Sequence, residues 1–292
     1  MYKHDNVISG AGQRKSSNAA REQRCTTGET LPRCRKYTSV EGIGGKVKKR
    51  AQKIHLGGKD HLFVLTGAGI SAESGLATFR GAGGLWDGER VEDVASPYGW
   101  HRDPERVWRF YSMRRKAALE AAPNPAHQAL AALESSLGER FFLCTQNVDD
   151  LHERAGSRRL VHMHGELFQS CCESCAREPF ADTRLYESQE QHAFCECGGR
   201  IRPNIVWFGE VPYHMERIFE ELQRCTVMLV VGTSGVVQPA ASFVHWAVSK
   251  PEPVRTYYVG PEHPANAAAF TQVFEGAAGE LLPRLLTVEQ HT

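Results

Sequence analysis

The chain has 292 residues, enough for one large domain or two smaller ones. Its composition is ordinary for a globular protein, with 41% hydrophobic and 24% charged residues and a net charge of +1. No apolar run approaches the ~18 residues that a membrane span needs, and no charged-then-apolar signal peptide opens the sequence.

Charge is unevenly spread. Residues 1–53 carry 13 Lys and Arg against 4 Asp and Glu. This segment, taken as a basic arm over residues 1–55, is rich in Ser, Gly, Thr and Gln and has little periodicity, so it is expected to be disordered. Its Arg and Ser content leaves organelle targeting open, while Asp5, Glu22 and Glu29 argue against it. The arm is also suited to touch nucleic acid or other anionic surfaces, although a solvated tail is the simpler reading. Nine cysteines, an odd count, favour a reducing compartment in which thiols serve metal binding or packing. A bacterial cytoplasm is the expected location.

LFVLTGAG (62–69) reads as a buried strand running into a glycine turn. A helix follows around FYSMRRKAALE (110–120), with Pro104 suited to its start. Its apolar row runs Val107, Phe110, Tyr111, Ala117, Ala118 and Ala121, and Arg114 falls in that row, where it either snorkels out to water or is met by an anionic group. Arg115 and Lys116 point elsewhere and read as ordinary surface charge. NPAHQALAALESSL (124–137) is a second helix, with Asn124 as N-cap and Pro125 in the first turn. RFFLCTQN (140–147), TVMLVVGTS (226–234) and VRTYYVG (254–260) are further strands, with helices expected within 213–224 and 239–249. Strand and helix in alternation predict an α/β fold with a parallel sheet covered on both faces. Ligands of such sheets bind at the carboxyl edge, where GAG, TQN and GTS fall.

Residues 168–200 differ. They are poor in aliphatic side chains and hold five of the nine cysteines, as expected of a small inserted module. Cys172 and Cys175 form a CxxC knuckle, and Cys195 with Cys197 a CxC. Four thiolates at these spacings suit one tetrahedral, structural zinc ion with no open position. Redox chemistry or unrelated free thiols are the alternatives, and Cys171 is an ambiguous neighbour of Cys172. The loop GAGISAESGLATFRGAGGLW (67–86) could bring backbone N–H groups to a phosphate. Its spacing is nevertheless not the GxGxxG of a conventional dinucleotide fold, so an ordinary NAD-dependent dehydrogenase is disfavoured. His164 in HMHGE could be catalytic, although a lone histidine is more commonly structural. Asn147 and Asp149 in TQNVDD could orient a ribose or water, or cap the next helix.

Together, in order, GAGIS, TFRGAGGLW, TQNVDDLHERAG, HMHGEL, the two cysteine pairs, RPNIVWFGE and GTSGVVQPA closely resemble the sirtuins, the NAD-dependent protein-lysine deacylases. The resemblance covers about residues 60–288 and implies a Rossmann-like large domain, a small zinc-bearing domain, and a cleft where NAD and acyl-lysine proteins meet. By motif position, cofactor contacts would come from Gly67, Ala68, Gly69, Ile70, Ser71, Glu73 and Ser74, then Phe79, Arg80 and Trp86. Gln146, Asn147 and Asp149 would line the nicotinamide and ribose pocket. Gly232, Thr233 and Ser234 would hold the adenosine side, with Ala278 beside the adenine.

The resemblance makes His164 the general base, with Asn147 beside it as a catalytic residue. In the family mechanism the acyl oxygen attacks the nicotinamide ribose and nicotinamide leaves. The base then activates a ribose hydroxyl, and the products are free lysine and O-acyl-ADP-ribose. Val206, Trp207 and Gly209 would support the substrate main chain. The CobB-type branch of the family carries Tyr-x-x-Arg on the first long helix, here Tyr111 and Arg114. This pair implies a clamp for the carboxylate of succinyl or malonyl lysine, with Ala82 leaving room for the longer chain. Both acidic-acyl and acetyl removal are expected, with the acidic group preferred. Gly260 departs from the family's Asn near that strand end, and the CxC pair departs from the commoner CxxC. The rival functions are a zinc-stapled binding module with little turnover and a protein mono-ADP-ribosyltransferase. No nucleic acid is required.

Overall fold

The computed structural model describes residues 53–80 and 85–289; the basic arm up to residue 52 and Ala82 lie outside them. Six parallel strands form the central sheet. Their order across it is Gln272–Glu275, Arg255–Gly260, Val227–Val231, Leu62–Thr66, Phe141–Thr145, Leu160–His162. The strand order therefore reverses between Leu62–Thr66 and Val227–Val231, and a crevice for ligands opens at the carboxyl edge of such a switch point. Three of the four inner strands, LFVLT, FFLCT and VMLVV, are buried along their whole length, as expected when helices cover both faces.

Alternate residues of these strands feed two cores. Leu62, Val64, Leu143 and Leu229 pack beneath the Pro125–Leu137 and Ala278–Leu285 helices. Phe63, Leu65, Phe142 and Val230 pack on the other face against Leu222 and Phe243. The Pro125–Leu137 helix starts as its sequence predicts: the Asn124 side chain accepts from Ala126 N–H at 3.0 Å, and Pro125 occupies the first turn.

The cysteine-bearing stretch lies within a three-stranded antiparallel sheet of Gly165–Cys172, Phe180–Ala181 and Ile201–Ile205. A third core joins this sheet to the Pro104–Glu120 helix: Trp100, Trp108, Tyr186 and Trp207 are all buried in it. The Trp108 ring stacks on that of Tyr186 at 4.0 Å.

One reading of that helix is corrected. Arg115 is not surface charge; its side chain is 0% exposed. Its guanidinium donates to the carbonyls of Leu167, Gln169 and Arg184 and to Ser170 Oγ, and it pairs with Asp182 at 3.7 Å. The helix is covered on two sides, so the residue one step round from the Arg114 row is buried too. Among the described residues no helix is long and apolar enough to cross a membrane.

Candidate functional site

Two strand-end turns meet at the switch point. Gly67 N–H donates to Val231 O at 3.0 Å and Gly69 N–H to Gly232 O at 2.9 Å. A Cβ on Gly69 would lie 2.7 Å from Gly232 Cα, and one on Gly67 2.9 Å from Gly232 O. Gly232 itself has φ +63°, and its own Cβ would meet Ile70 N at 2.5 Å. The glycines thus let two backbones touch. Ile70 is buried in the sheet core.

The third strand end adds polar groups. Asn147 Nδ2 donates to Ser71 Oγ at 3.1 Å, and Ser71 Oγ donates to Asp149 Oδ2 at 3.2 Å. Asp149 Oδ1 also accepts from Leu151 N–H at 3.3 Å, at the start of the short helix Leu151–Arg154. Asp149 thus accepts from both Ser71 and the first residue of that helix. Burial pushes its carboxyl above the ordinary carboxylate range, opposed by the Leu151 and Ser71 hydrogen bonds and by the charges of His162 and Arg114.

His164 follows the Leu160–His162 strand and is half-buried. Its Nδ1 lies 3.1 Å from Gln146 O. A carbonyl only accepts, so Nδ1 carries the proton and Nε2 keeps its lone pair. Burial lowers the pKa of this imidazole, opposed by the bond to Gln146. Its neighbour His162 differs. Nδ1 lies 2.7 Å from Asn147 O and Nε2 2.7 Å from Glu153 Oε1, an arrangement that favours the doubly protonated ring. Burial opposes that charge, but the bonds to Glu153 and Asn147 prevail and the pKa is raised. Sequence reasoning missed His162; the HMH triplet was the available signal.

The remaining candidates spread outward. Gln146, Thr233 and Ser234 line one small cavity with Asn266 and Phe270. The Tyr258 hydroxyl donates to Thr233 O at 2.9 Å and underlies Gly260, where a Cβ would meet it at 2.4 Å. Glu73 Oε1 accepts from Gly279 N–H at 2.9 Å, next to buried Ala278. Ser74 Oγ accepts from Asn124 Nδ2 at 3.0 Å. Ala68 caps the short helix Gly69–Ala72. Phe79 and Arg80 pair by their main chains with Trp86 and Leu85. Val206 N–H donates to His164 O at 2.9 Å, Trp207 N–H to Glu210 Oε2 at 2.8 Å, and Gly209 turns at φ +95°.

Arg114 does not reach out to solvent: its side chain is 8% exposed. Its guanidinium lies 5.0 Å over the Trp86 ring, donates to Ala77 O at 3.2 Å and stands 3.5 Å from Asp87 Oδ2. Its buried Nε has no hydrogen-bond partner. Burial lowers its pKa, opposed chiefly by Asp87 and then Asp149. Tyr111 is fully buried and accepts from Trp207 Nε1 at 3.2 Å. Burial also pushes its phenol well above the ordinary value, so it keeps its proton and can donate.

Cys172, Cys175, Cys195 and Cys197 place their sulfurs within 4.8 Å of one another. Cys172 and Cys197 are 3.5 Å apart, and Cys175 and Cys195 3.8 Å. A tetrahedral zinc ion with Zn–S of about 2.3 Å needs sulfurs about 3.8 Å apart, so this donor set fits. Cys171 is not among these four; its sulfur faces Pro203 O instead.

The Sir2 family model matches residues 67–239. A curated NAD-dependent protein deacylase of Shewanella oneidensis is 45% identical over 228 residues, covering 77% of this chain and 93% of that protein. Among solved structures, an ADP-ribose complex of a mutated Sir2 homologue has a TM-score of 0.71 at 40% identity, covering 77% of this chain and 89% of that one. A Sir2 homologue–NAD complex has a TM-score of 0.70 at 42% identity, covering 77% and 87%. On a match of this extent, with the glycine turns, the histidine and the four thiols on one scaffold, the chain belongs to the Sir2 family.

Proposed function

We propose that this chain is an NAD-dependent protein-lysine deacylase that accepts both acetyl and acidic acyl groups and prefers the acidic ones. The name of the Shewanella relative and the ADP-ribose and NAD bound by solved relatives support the reaction. When bound, NAD would supply a ribose carbon to take the acyl oxygen, with nicotinamide as the leaving group. His164 Nε2 takes the proton of a ribose hydroxyl; the Nδ1 bond to Gln146 O orients the ring for this, and burial keeps it neutral. Asn147, held through Ser71 to Asp149, orients the nicotinamide ribose. The glycine turns and Thr233–Ser234 carry the phosphates and adenosine. Val206–Gly209 supports the substrate main chain. Cys172, Cys175, Cys195 and Cys197 hold one structural zinc ion with no coordination position left over.

The acidic preference rests on one observation: a guanidinium 8% exposed, with an unpartnered buried Nε, one helical turn from the Tyr111 hydroxyl. A carboxylate brought in by succinyl or malonyl lysine satisfies that donor as a charge-assisted pair. Mass spectrometry on matched succinyl-lysine and acetyl-lysine peptides, with and without NAD, tests this. NAD-dependent loss of succinyl that falls selectively in Arg114→Met is expected. Loss of acetyl alone would return Arg114 to a structural role.

A further inference from the structure

We infer that Asp87 determines acyl selectivity, acting as a built-in carboxylate that competes with the substrate's own carboxylate for Arg114. This rests on the reading of Arg114 as the acyl-carboxylate site. Asp87 Oδ2 stands 3.5 Å from Arg114 Nη1, on the same side as Trp86, over whose ring the guanidinium lies. Leu85–Trp86 pairs antiparallel with Glu89–Arg90, so Asp87 and Gly88 form a two-residue hairpin loop. Their φ angles of +54° and +84° are those of a turn in which both central residues are left-handed, and Asp-Gly is a preferred pair for it. The hairpin therefore places, side by side, the ring beneath Arg114 and the residue whose carboxylate stands near it.

A buried guanidinium left without a counter-charge is strongly destabilised. With a neutral acyl group bound, Asp87 supplies that charge and acetyl-lysine is tolerated. An acidic acyl group brings a second carboxylate to the same guanidinium and must displace or share with Asp87, because two close carboxylates repel. Asp87 thus broadens the acyl range and lowers the preference that Arg114 alone would impose.

Asp87→Asn removes the charge and keeps the turn, since Asn-Gly suits it equally. Values of kcat/KM would be measured on the full chain with succinyl-lysine and acetyl-lysine forms of one peptide. The expected result is a succinyl-to-acetyl ratio raised about tenfold, the scale of one hydrogen bond to a charged group. The rise should come mainly from a lower KM for the succinyl peptide. In an Arg114→Met background the same substitution should leave the ratio unchanged. If Asp87→Asn leaves or lowers the ratio while Arg114→Met selectively lowers succinyl removal, the role of Asp87 is overturned and the acyl reading stands. If Arg114→Met keeps its succinyl activity, the acyl reading falls, and this inference with it.

Discussion

Two histidines flank Met163 and play opposite parts. His162 has a fixed acceptor at each ring nitrogen, which favours its charged form; His164 has one and keeps the other nitrogen as a base. Only the second arrangement suits proton abstraction near neutral pH. Because burial lowers the His164 pKa, the neutral base persists to lower pH than an exposed imidazole allows. The acid limb of kcat/KM against pH should therefore lie below the ordinary histidine value of about 6.5. Initial rates across that range check this, and a limb at or above the ordinary value would contradict it. At this scale the sequence offers candidates where chemistry rests on a residue type in a motif, as at His164 or Cys172. It was silent where the role depends on what lies opposite, as with His162 and Asp87.

The Pro104–Glu120 helix shows the limit of periodicity. Its apolar row correctly carries Arg114 inward, yet Arg115 is buried as well. The acceptors that bury Arg115 come from Leu167, Gln169 and Arg184, at least 52 residues away, and no local pattern announces them. Arg115 pins this helix to the cysteine-bearing sheet next to the proposed acyl site. Replacing Arg115 with Met leaves Asp182 and several carbonyls without this donor. It should cost about 3 kcal/mol of stability, the lower end for breaking a buried ion pair. Urea unfolding followed by tryptophan fluorescence, alongside the zinc content, measures this; an unchanged midpoint would contradict the pinning role. The Asn124 cap and Pro125 start, by contrast, were legible because a helix terminus is set by its own few residues.

Over the whole molecule, alternating strands and helices were enough to foresee a parallel sheet with GAG, TQN and GTS at one edge. The order of the strands was not readable, nor that Gly67 and Gly69 are glycines because Gly232 presses against them. The fold brings those three strand ends, His164 and the buried Arg114 onto one scaffold, and the proposed reaction needs them together. The most direct measurement follows nicotinamide release and peptide deacylation in the same tube, for the parent chain and for His164→Ala. One nicotinamide per acyl group removed in the parent, with both falling away together in the variant while zinc and fold are kept, is the predicted result. Deacylation without nicotinamide release, or undiminished turnover in His164→Ala, would contradict the proposed reaction.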